Sequence, residues 1–217
     1  MFCNKNNINI NDLEGLRETA KSLMSEKRFF HTLGVEEESV KIAEIYKLSE
    51  DIINKLRISA ILHDITKEFE HEKQLEICGK YNIKLTGDDK KAKKLLHART
   101  GAYIAKSEFS ADDMIFDGIY NHTVSKLSKS FDLFNRIIVL ADWIEPERDY
   151  QDCVELREYF HSKINKAENI EQKNKIMDET ILLSYNKSIK CVVEENRFMH
   201  KDAIKCRNAL IEKKVTV

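Results

Sequence analysis

The sequence has little of what interrupts helices, with one proline and six glycines among 217 residues. Inside a helix, proline costs about 3 kcal/mol and glycine about 1 kcal/mol relative to alanine. No segment shows the alternation of apolar and polar residues that is typical of half-buried strands, and no internal repeat is evident. These absences predict an all-α protein with long helices.

Cysteine is also scarce, and its spacing is that of isolated thiols. The cysteines, which are odd in number and contain no C-x-x-C pair, are Cys3, Cys78, Cys153, Cys191 and Cys206. This pattern fits reduced thiols in a cytoplasm better than a disulfide framework or a zinc site. The N-terminus lacks the apolar core of a signal peptide, and no apolar run approaches the roughly 20 residues that span a bilayer. The sequence therefore predicts a cytoplasmic protein without a membrane partner.

An excess of charge of either sign is absent, because 36 lysines and arginines face 37 aspartates and glutamates. A polybasic arm for nucleic acid would give a clear positive excess. The strongest basic cluster, at 90–94, lacks nearby aromatic residues and glycines and is interpreted as the solvated start of a helix. We therefore expect no nucleic-acid partner, and any affinity for phosphate must come from a local site.

Apolar residues at helical spacing predict a series of helices. The first begins with a capping box of Asn11 and Glu14 and ends near residue 26, and the second covers about 28–48 with a bend at Gly34. The third begins at Ser49 or Glu50 and ends in His63-Asp64, and a short fourth helix ends near Gly79. Further helices are expected over 91–109, from Ser110 or Asp112 to about 120, over 131–144 before Pro146, and as two or three helices in 152–217. Residues 1–10 are expected to be a disordered lead and 124–130 a loop.

The segment 58–67 (ISAILHDITK) carries the clearest functional signal. An almost wholly apolar run leads directly into the adjacent His63 and Asp64. Apolar residues on nearly every side predict a buried helix, and burying an imidazole and a carboxylate is costly unless a partner compensates. A metal cation is the partner that suits both groups, so the pair predicts a metal site.

Four further ligand-type residues follow aromatic or apolar residues in the same way. They are His31, His97, His122 and Asp142. Taken singly, each histidine is more often a hydrogen-bonded core or surface residue than a ligand. Their joint occurrence at the ends of apolar stretches, where several helices can converge, favours one shared pocket.

The order of these residues resembles the H…HD…D pattern of the HD-domain metal-dependent phosphohydrolases. The flanking segments 28–31 (RFFH), 62–67 (LHDITK), 95–102 (LLHARTGA), 120–123 (YNHT) and 141–148 (ADWIEPER) are similar to its YqeK-like branch. The resemblance covers about 28–148 and implies an all-helical HD-domain bundle with additional C-terminal helices. It divides the chain into an N-terminal lead and helix (1–27), an HD metal-binding core (28–150) and C-terminal helices that pack on it (151–217), as one domain overall.

The resemblance also implies a function and a metal centre. Members of this branch hydrolyse diadenosine tetraphosphate symmetrically to two ADP. His31, His63, Asp64 and Asp142 would hold one metal, and His97, His122 and the other oxygen of Asp64 a second. Mixed imidazole and carboxylate ligation suits iron, manganese or zinc better than calcium or magnesium, and the branch implies two iron ions, with manganese, cobalt or zinc as alternatives.

Asp64 and Lys67 are the expected catalytic residues, and several side chains are expected to bind the nucleotide. The expected substrate-binding residues are Arg28, Lys67, His97, His122, Thr123, Arg148 and Asn186. For Lys67 the alternative is a solvated lysine at a helix end, and for Arg148 an ion pair with Glu145 or Glu147. Glu145 is a candidate partner for a ligating histidine. By contrast, His71, His161 and His200 are expected at the surface.

Two other functions stay open on sequence grounds. The same site could serve an HD phosphohydrolase that acts on a nucleoside monophosphate, a cyclic nucleotide or an alarmone. The chain could also be a nucleotide-binding HD module without turnover, although such a module would be expected to lack a ligand and none is missing. The sequence leaves a homodimer open.

Overall fold

The computed structural model describes residues 9–124 and 132–215. Within these ranges the regular structure consists of eleven α-helices and one short 3₁₀ turn, without a strand, so the all-α prediction is confirmed. Most of the lead at 1–10 and of the loop at 124–130 lies outside the described residues.

Most helices follow the predicted segments, but the helix predicted over 91–109 begins only at Leu96, and a short helix that was not predicted covers Gly87–Lys91. They are α1 (Leu13–Ser22), α2 (Glu26–Ile45), α3 (Glu50–Leu62), α4 (His71–Lys80), α5 (Gly87–Lys91), α6 (Leu96–Glu108), α7 (Asp113–Asn121), α8 (Leu133–Ile144), α9 (Gln151–Ile164), α10 (Ile170–Glu194) and α11 (Lys201–Val215), with the 3₁₀ turn at Lys93–Leu95 before α6.

Side-chain caps fix where several helices begin. The side chain of Ser49 accepts a hydrogen bond from the Ile52 amide at the start of α3. The side chain of Asp112 accepts one from the Ile115 amide at the start of α7. The predicted capping box of α1 is wrong by one residue, because Asp12 rather than Asn11 accepts from the backbone of the first turn. The helix α8 ends at Ile144, two residues before the only proline.

The helix α3 lies between two hydrophobic clusters. Leu56 and Ala60 belong to a cluster with α2, α8 and the C-terminal helices, whereas Ile58, Ile61 and Leu62 belong to a cluster with α1, α6 and α7. Each of the five is at most 1% exposed. Burial of a leucine or isoleucine contributes about 1.5–3 kcal/mol, so α3 is held from both sides and the residues at its end have a rigid support.

The α2 helix continues through Gly34 without interruption, so the bend expected there does not divide it. The glycine instead allows close approach of another helix end. A Cβ atom at this position would overlap the carboxylate of Glu145, which directly follows α8 and is 0% exposed. The absence of a side chain at Gly34 therefore lets the end of α8 lie against α2.

Three helices form the C-terminal third of the chain. Phe160 of α9, Met177 and Ile181 of α10 and Leu210 of α11 join the same cluster as α2 and α8. The surface position expected for His200 is wrong: it is 4% exposed, and its Nε2 lies 3.4 Å from Asp89 Oδ1, because the chain returns after α10 to the region of α5.

In the described ranges no helix is both long and apolar enough to cross a membrane.

Candidate metal centre

The six predicted ligands lie at or near the ends of five helices. His63 is the C-cap residue of α3 and Asp64 follows it, while His122 is the C-cap residue of α7. His97 lies in the first turn of α6, Asp142 in the last turn of α8, and His31 in the second turn of α2. The structure brings the side chains of all six together in one cluster.

The carboxylate of Asp64 lies between two pairs of histidines. Its Oδ2 is 3.8 Å from His31 Nε2 and 3.5 Å from His63 Nε2. Its Oδ1 is 3.1 Å from His97 Nε2 and 3.5 Å from His122 Nε2. Because each oxygen faces a different pair, this one side chain can contact two cations.

Asp142 completes the first of these two groups. Its Oδ1 lies 3.1 Å from His31 Nε2 and 3.8 Å from His63 Nε2. In the second group, the Nε2 atoms of His97 and His122 are 3.1 Å apart. His63 lies near both groups, since its ligand atom is within 4.8 Å of those of Asp64 and His122 as well.

The second ring nitrogen of each histidine has a hydrogen-bond acceptor. The Nδ1 atoms of His31, His63, His97 and His122 lie 3.0, 2.6, 2.9 and 2.7 Å from Glu145 Oε1 and the carbonyl oxygens of Ala60, Lys94 and Ile119. A carbonyl or carboxylate oxygen only accepts, so each Nδ1 carries the proton. In the neutral rings the lone pair is therefore on Nε2, the atom directed into the cluster.

Burial keeps the second histidine pair neutral. Burial and then the charge of Lys67 lower the pKa of His97 to about 3. Burial also lowers the pKa of His122. At pH 7 both Nε2 atoms are therefore unprotonated, and two lone pairs 3.1 Å apart face the ionised Asp64 with no proton between them. The Lys67 ammonium, 2.9 Å from His97 Nε2, can donate to one of these lone pairs, and repulsion between the two favours a further cation at this position.

The two carboxylates are ionised. Burial alone would raise their pKa values, but the charge of Lys67 and the nearby histidines outweigh it at Asp64, and Arg148 and His31 outweigh it at Asp142. The pKa of each lies well below its usual range. At His31 burial lowers the pKa, but the carboxylates of Asp142 and Glu145, 3.1 and 3.0 Å from its two ring nitrogens, more than compensate, so the pKa of His31 is raised.

Unpaired buried atoms and short distances both fit metal ions. His31 Nε2, His63 Nε2 and Asp64 Oδ1 are buried and have no hydrogen-bond partner within the described part of the chain. Two ligand atoms that bind one ion at about 2.0–2.1 Å lie roughly 2.9–3.4 Å apart. Several separations in the cluster are 3.1–3.5 Å. The residues present therefore fit the binding of metal.

Three cationic side chains surround the cluster. Arg28 Nη1 lies 2.9 Å from Asp64 Oδ2, and Arg148 Nη2 lies 2.6 Å from Asp142 Oδ1. Lys67 Nζ lies 2.9 Å from His97 Nε2 and 3.7 Å from Asp64 Oδ1. Lys67 is therefore not a freely solvated lysine, and the principal ion pair of Arg148 is with Asp142 rather than with the glutamates considered from the sequence.

Glu145 and Arg157 stabilise the segment that follows α8, next to the ligands His31 and Asp142. Besides its contact with His31, Glu145 accepts a hydrogen bond of 2.6 Å from the Glu147 amide. Arg157 of α9 donates to the carbonyl oxygens of Ile144, Glu145 and Arg148 at 2.7, 2.5 and 2.6 Å. Arg157 is not among the residues predicted from the sequence, because an arginine on an amphipathic helix carries no local signal of such a role.

Among the described residues, the hydrogen bonds of Thr123 and Asn186 do not involve the cluster. Thr123 Oγ1 is buried and has no hydrogen-bond partner among the described residues, although Thr123 directly follows His122. Asn186 of α10 accepts a hydrogen bond of 2.7 Å from Arg207 of α11, so its observed contact is with the C-terminal helix. The expected substrate roles of both residues stay predictions.

Comparison with known proteins adds independent information. The sequence profile of the HD domain matches residues 28–147. A symmetrical bis(5'-nucleosyl)-tetraphosphatase of Halalkalibacterium halodurans is 27% identical over 200 residues, which are 89% of this chain and 94% of that protein. The Bacillus subtilis protein of the same name is 30% identical over 148 residues, 68% of this chain and 76% of that protein.

A solved structure also matches over most of its length. It is an HD superfamily hydrolase of Clostridium acetobutylicum, described as involved in NAD metabolism. The TM-score is 0.78 at 29% sequence identity, and the match covers 92% of this chain and 97% of the other. Both the sequence and the fold are thus similar to metal-dependent hydrolases.

Proposed function

The chain belongs to the HD domain family, and from this membership we propose that it is a metal-dependent hydrolase that cleaves diadenosine tetraphosphate symmetrically to two ADP. The relatives from Halalkalibacterium halodurans and Bacillus subtilis are named symmetrical bis(5'-nucleosyl)-tetraphosphatases, and diadenosine tetraphosphate is a substrate of that class. The reaction requires cleavage of the central phosphoanhydride bond of the highly charged tetraphosphate.

The observation that carries this proposal is the position of Asp64 between two histidine pairs. The contacts of Oδ2 with His31 and His63, and of Oδ1 with His97 and His122, provide ligands for two cations, with Asp142 beside the first pair. When bound, two such cations polarise a phosphoryl oxygen and supply an activated water near neutral pH. Imidazole and carboxylate ligands suit iron, manganese, cobalt or zinc, and iron is the metal that we propose.

The residues of the chain itself would bind and orient the polyphosphate. The Nε atoms of Arg28 and Arg148 are buried without a hydrogen-bond partner in the described ranges, so each guanidinium retains donor capacity. Guanidinium groups suit bidentate contacts with phosphate oxygens. Lys67, which is 32% exposed and next to the second histidine pair, places a compact positive charge where negative charge increases during cleavage.

Product analysis tests the proposal directly. Protein loaded separately with Fe, Mn, Co or Zn is incubated with diadenosine tetraphosphate, and the nucleotides are separated by chromatography. We expect ADP as the sole product. The appearance of ATP together with AMP would contradict symmetrical cleavage.

A panel of other nucleotides separates the remaining functions. Faster hydrolysis of a nucleoside monophosphate, a cyclic nucleotide or an alarmone would assign the same centre to another substrate. Nucleotide binding without hydrolysis under all four metals would instead indicate a binding module.

A further inference from the structure

A pocket of about 510 Å³ opens directly beside the metal-ligand cluster. Arg28, His31 and Arg148 are among the residues that line it, so the pocket is continuous with the site proposed for the phosphates. Its volume lies in the range of about 300–1,000 Å³ that is typical of small-molecule sites. The pocket can therefore hold a part of the substrate that extends beyond the reacting phosphates.

Two exposed aromatic side chains line this pocket. Phe30 is 50% exposed and Tyr150 is 60% exposed. Phe29, its neighbour on α2, is 9% exposed and belongs to the core, whereas half of the Phe30 surface is open to solvent. Tyr150 precedes α9 as the N-cap residue but makes no side-chain capping hydrogen bond. Neither aromatic ring is buried in the core, and a binding role accounts for the exposure of both beside the pocket.

The charges of the pocket indicate which part of the substrate it accepts. Besides Lys27 and the two arginines, four carboxylates line it, those of Glu26, Glu68, Glu147 and Asp149. These carboxylates repel phosphates but can accept hydrogen bonds from ribose hydroxyl groups. Glu68 is already fixed in place, since its two oxygens accept from the Ser25 amide and hydroxyl at 2.6 and 2.7 Å.

We propose that this pocket binds one nucleoside of the dinucleotide, with Phe30 and Tyr150 as stacking surfaces for its base. The inference rests on the proposed function for the identity of the substrate. Aromatic rings stack on any nucleobase, because every base presents a π-face. Phe30 and Tyr150 are therefore positioning residues that increase affinity for the nucleoside and leave the metal centre unchanged.

Equilibrium binding to metal-loaded protein tests this assignment without turnover. The probes are a diadenosine tetraphosphate analogue with a methylene group in place of the bridging oxygen, and inorganic tripolyphosphate, which has no nucleoside. In Phe30→Ala and Tyr150→Ala variants we expect the calorimetric Kd of the analogue to rise by about 5- to 100-fold. The Kd of tripolyphosphate should stay unchanged. The conservative variants Phe30→Tyr and Tyr150→Phe should bind the analogue as the wild type does.

Phe198→Ala is the matched control, because Phe198 is a 42% exposed aromatic residue that does not line the pocket. It should leave both dissociation constants unchanged. An unchanged Kd for the analogue in the Phe30 and Tyr150 variants overturns the inference, and so does an equal rise for both probes, which would indicate a structural role. If the wild type binds the analogue no more tightly than tripolyphosphate, the inference also fails. Aromatic-dependent binding of the analogue by a protein that does not cleave diadenosine tetraphosphate would refute the proposed function but not this pocket.

Discussion

At the scale of single residues, Asp64 is the side chain on which the centre depends. Its two oxygens contact different histidine pairs, and it is 2% exposed. Arg28 and Lys67 lie on either side of it, at 2.9 and 3.7 Å. Removal of this carboxylate leaves both histidine pairs without their shared anionic ligand.

We therefore predict that Asp64→Ala abolishes metal binding and activity together. Loss of a partner outside the ligand set commonly costs 10- to 100-fold in metal affinity, so loss of a shared ligand should cost at least about 100-fold. Elemental analysis after purification, with circular dichroism as a check of folding, provides the measurement. Two metals per chain in the folded variant would refute the role of Asp64.

Lys67→Ala should separate substrate chemistry from metal binding. The ammonium group lies 2.9 Å from His97 Nε2. Because it is not itself a metal ligand, the metal content should stay the same. The loss of one positive charge directed at the reacting phosphates should reduce kcat by about 100-fold. Lys73→Ala, which removes an exposed ion pair with Glu76, is the control and should be neutral. A fall in bound metal for Lys67→Ala would instead assign the lysine to the support of His97.

The buried histidines make a prediction about acid stability of the metal-free protein. The pKa values of His97 and His122 in the folded state are lowered, so below the ordinary value of about 6.5 the unfolded state binds more protons than the folded state. The free energy of unfolding should therefore decrease as the pH falls below about 6.5, by on the order of 1 kcal/mol per pH unit for His97, and His122 should change it in the same direction. His31, whose pKa is raised, changes stability only above that pH.

Urea titrations at pH 7.0 to 4.5 measure this slope. A His97→Gln variant should show a shallower dependence, since it lacks one of the two groups. Equal slopes for the variant and the wild type would contradict the assignment of acid sensitivity to His97.

At the scale of elements, the close approach of α2 to the end of α8 joins the two halves of the first ligand group. Gly34 makes room for Glu145, and Glu145 holds Nδ1 of His31 at 3.0 Å. The same helix end carries Asp142, whose Oδ1 lies 3.1 Å from His31 Nε2. The contact between two helices thus fixes both a ligand and the residue that orients it.

Gly34→Ala should disturb this contact and the centre with it. The added methyl group overlaps the buried Glu145 carboxylate, and overpacking of this kind costs about 1–3 kcal/mol of stability. Displacement of Glu145 should weaken metal binding by about 10- to 100-fold. Thermal unfolding and metal titration measure the two effects.

Gly79→Ala is the matched control within another helix. A Cβ at Gly79 meets no atom within 4 Å, so this variant should be neutral or more stable by up to about 1 kcal/mol. Equal behaviour of the two variants would show that Gly34 is not required by the packing of Glu145.

At the scale of the whole molecule, the larger hydrophobic cluster extends along most of the chain. It includes Val35 of α2, Ile138 of α8, Phe160 of α9 and Leu210 of α11. The division of the chain at 27 and 150 stays a prediction. Because the C-terminal helices share this cluster with the residues that carry the ligands, we propose that all the described helices unfold as one unit.

This proposal predicts a single unfolding transition. Far-UV circular dichroism reports all helices, and the fluorescence of Trp143, the sole tryptophan, reports the packing of α8 next to Asp142. The two signals should change together in urea. Phe160→Ala, which removes a side chain that is 0% exposed, should lower the free energy of unfolding by about 3–5 kcal/mol and move both signals equally. Separate transitions would indicate that the C-terminal helices form an independent domain.

The sequence by itself determined the helices and the residues at their ends. Periodicity, the cap at Ser49 and the stop before Pro146 are local signals, because they depend on residues only a few positions apart. Apolar runs that end in His63-Asp64 and in Asp142 therefore identified the candidate ligands without coordinates. The fold class and the family followed from the same residues.

Only the tertiary structure decided which of these residues meet. The contact of His31 with Glu145 joins residues 114 positions apart, and the burial of His200 against Asp89 depends on the return of the chain after α10. The close approach of Glu145 at Gly34 is likewise not visible in the sequence, since the space that the glycine provides is defined by another helix. Such features depend on distances of a few ångström between elements remote in sequence, and no local pattern encodes them.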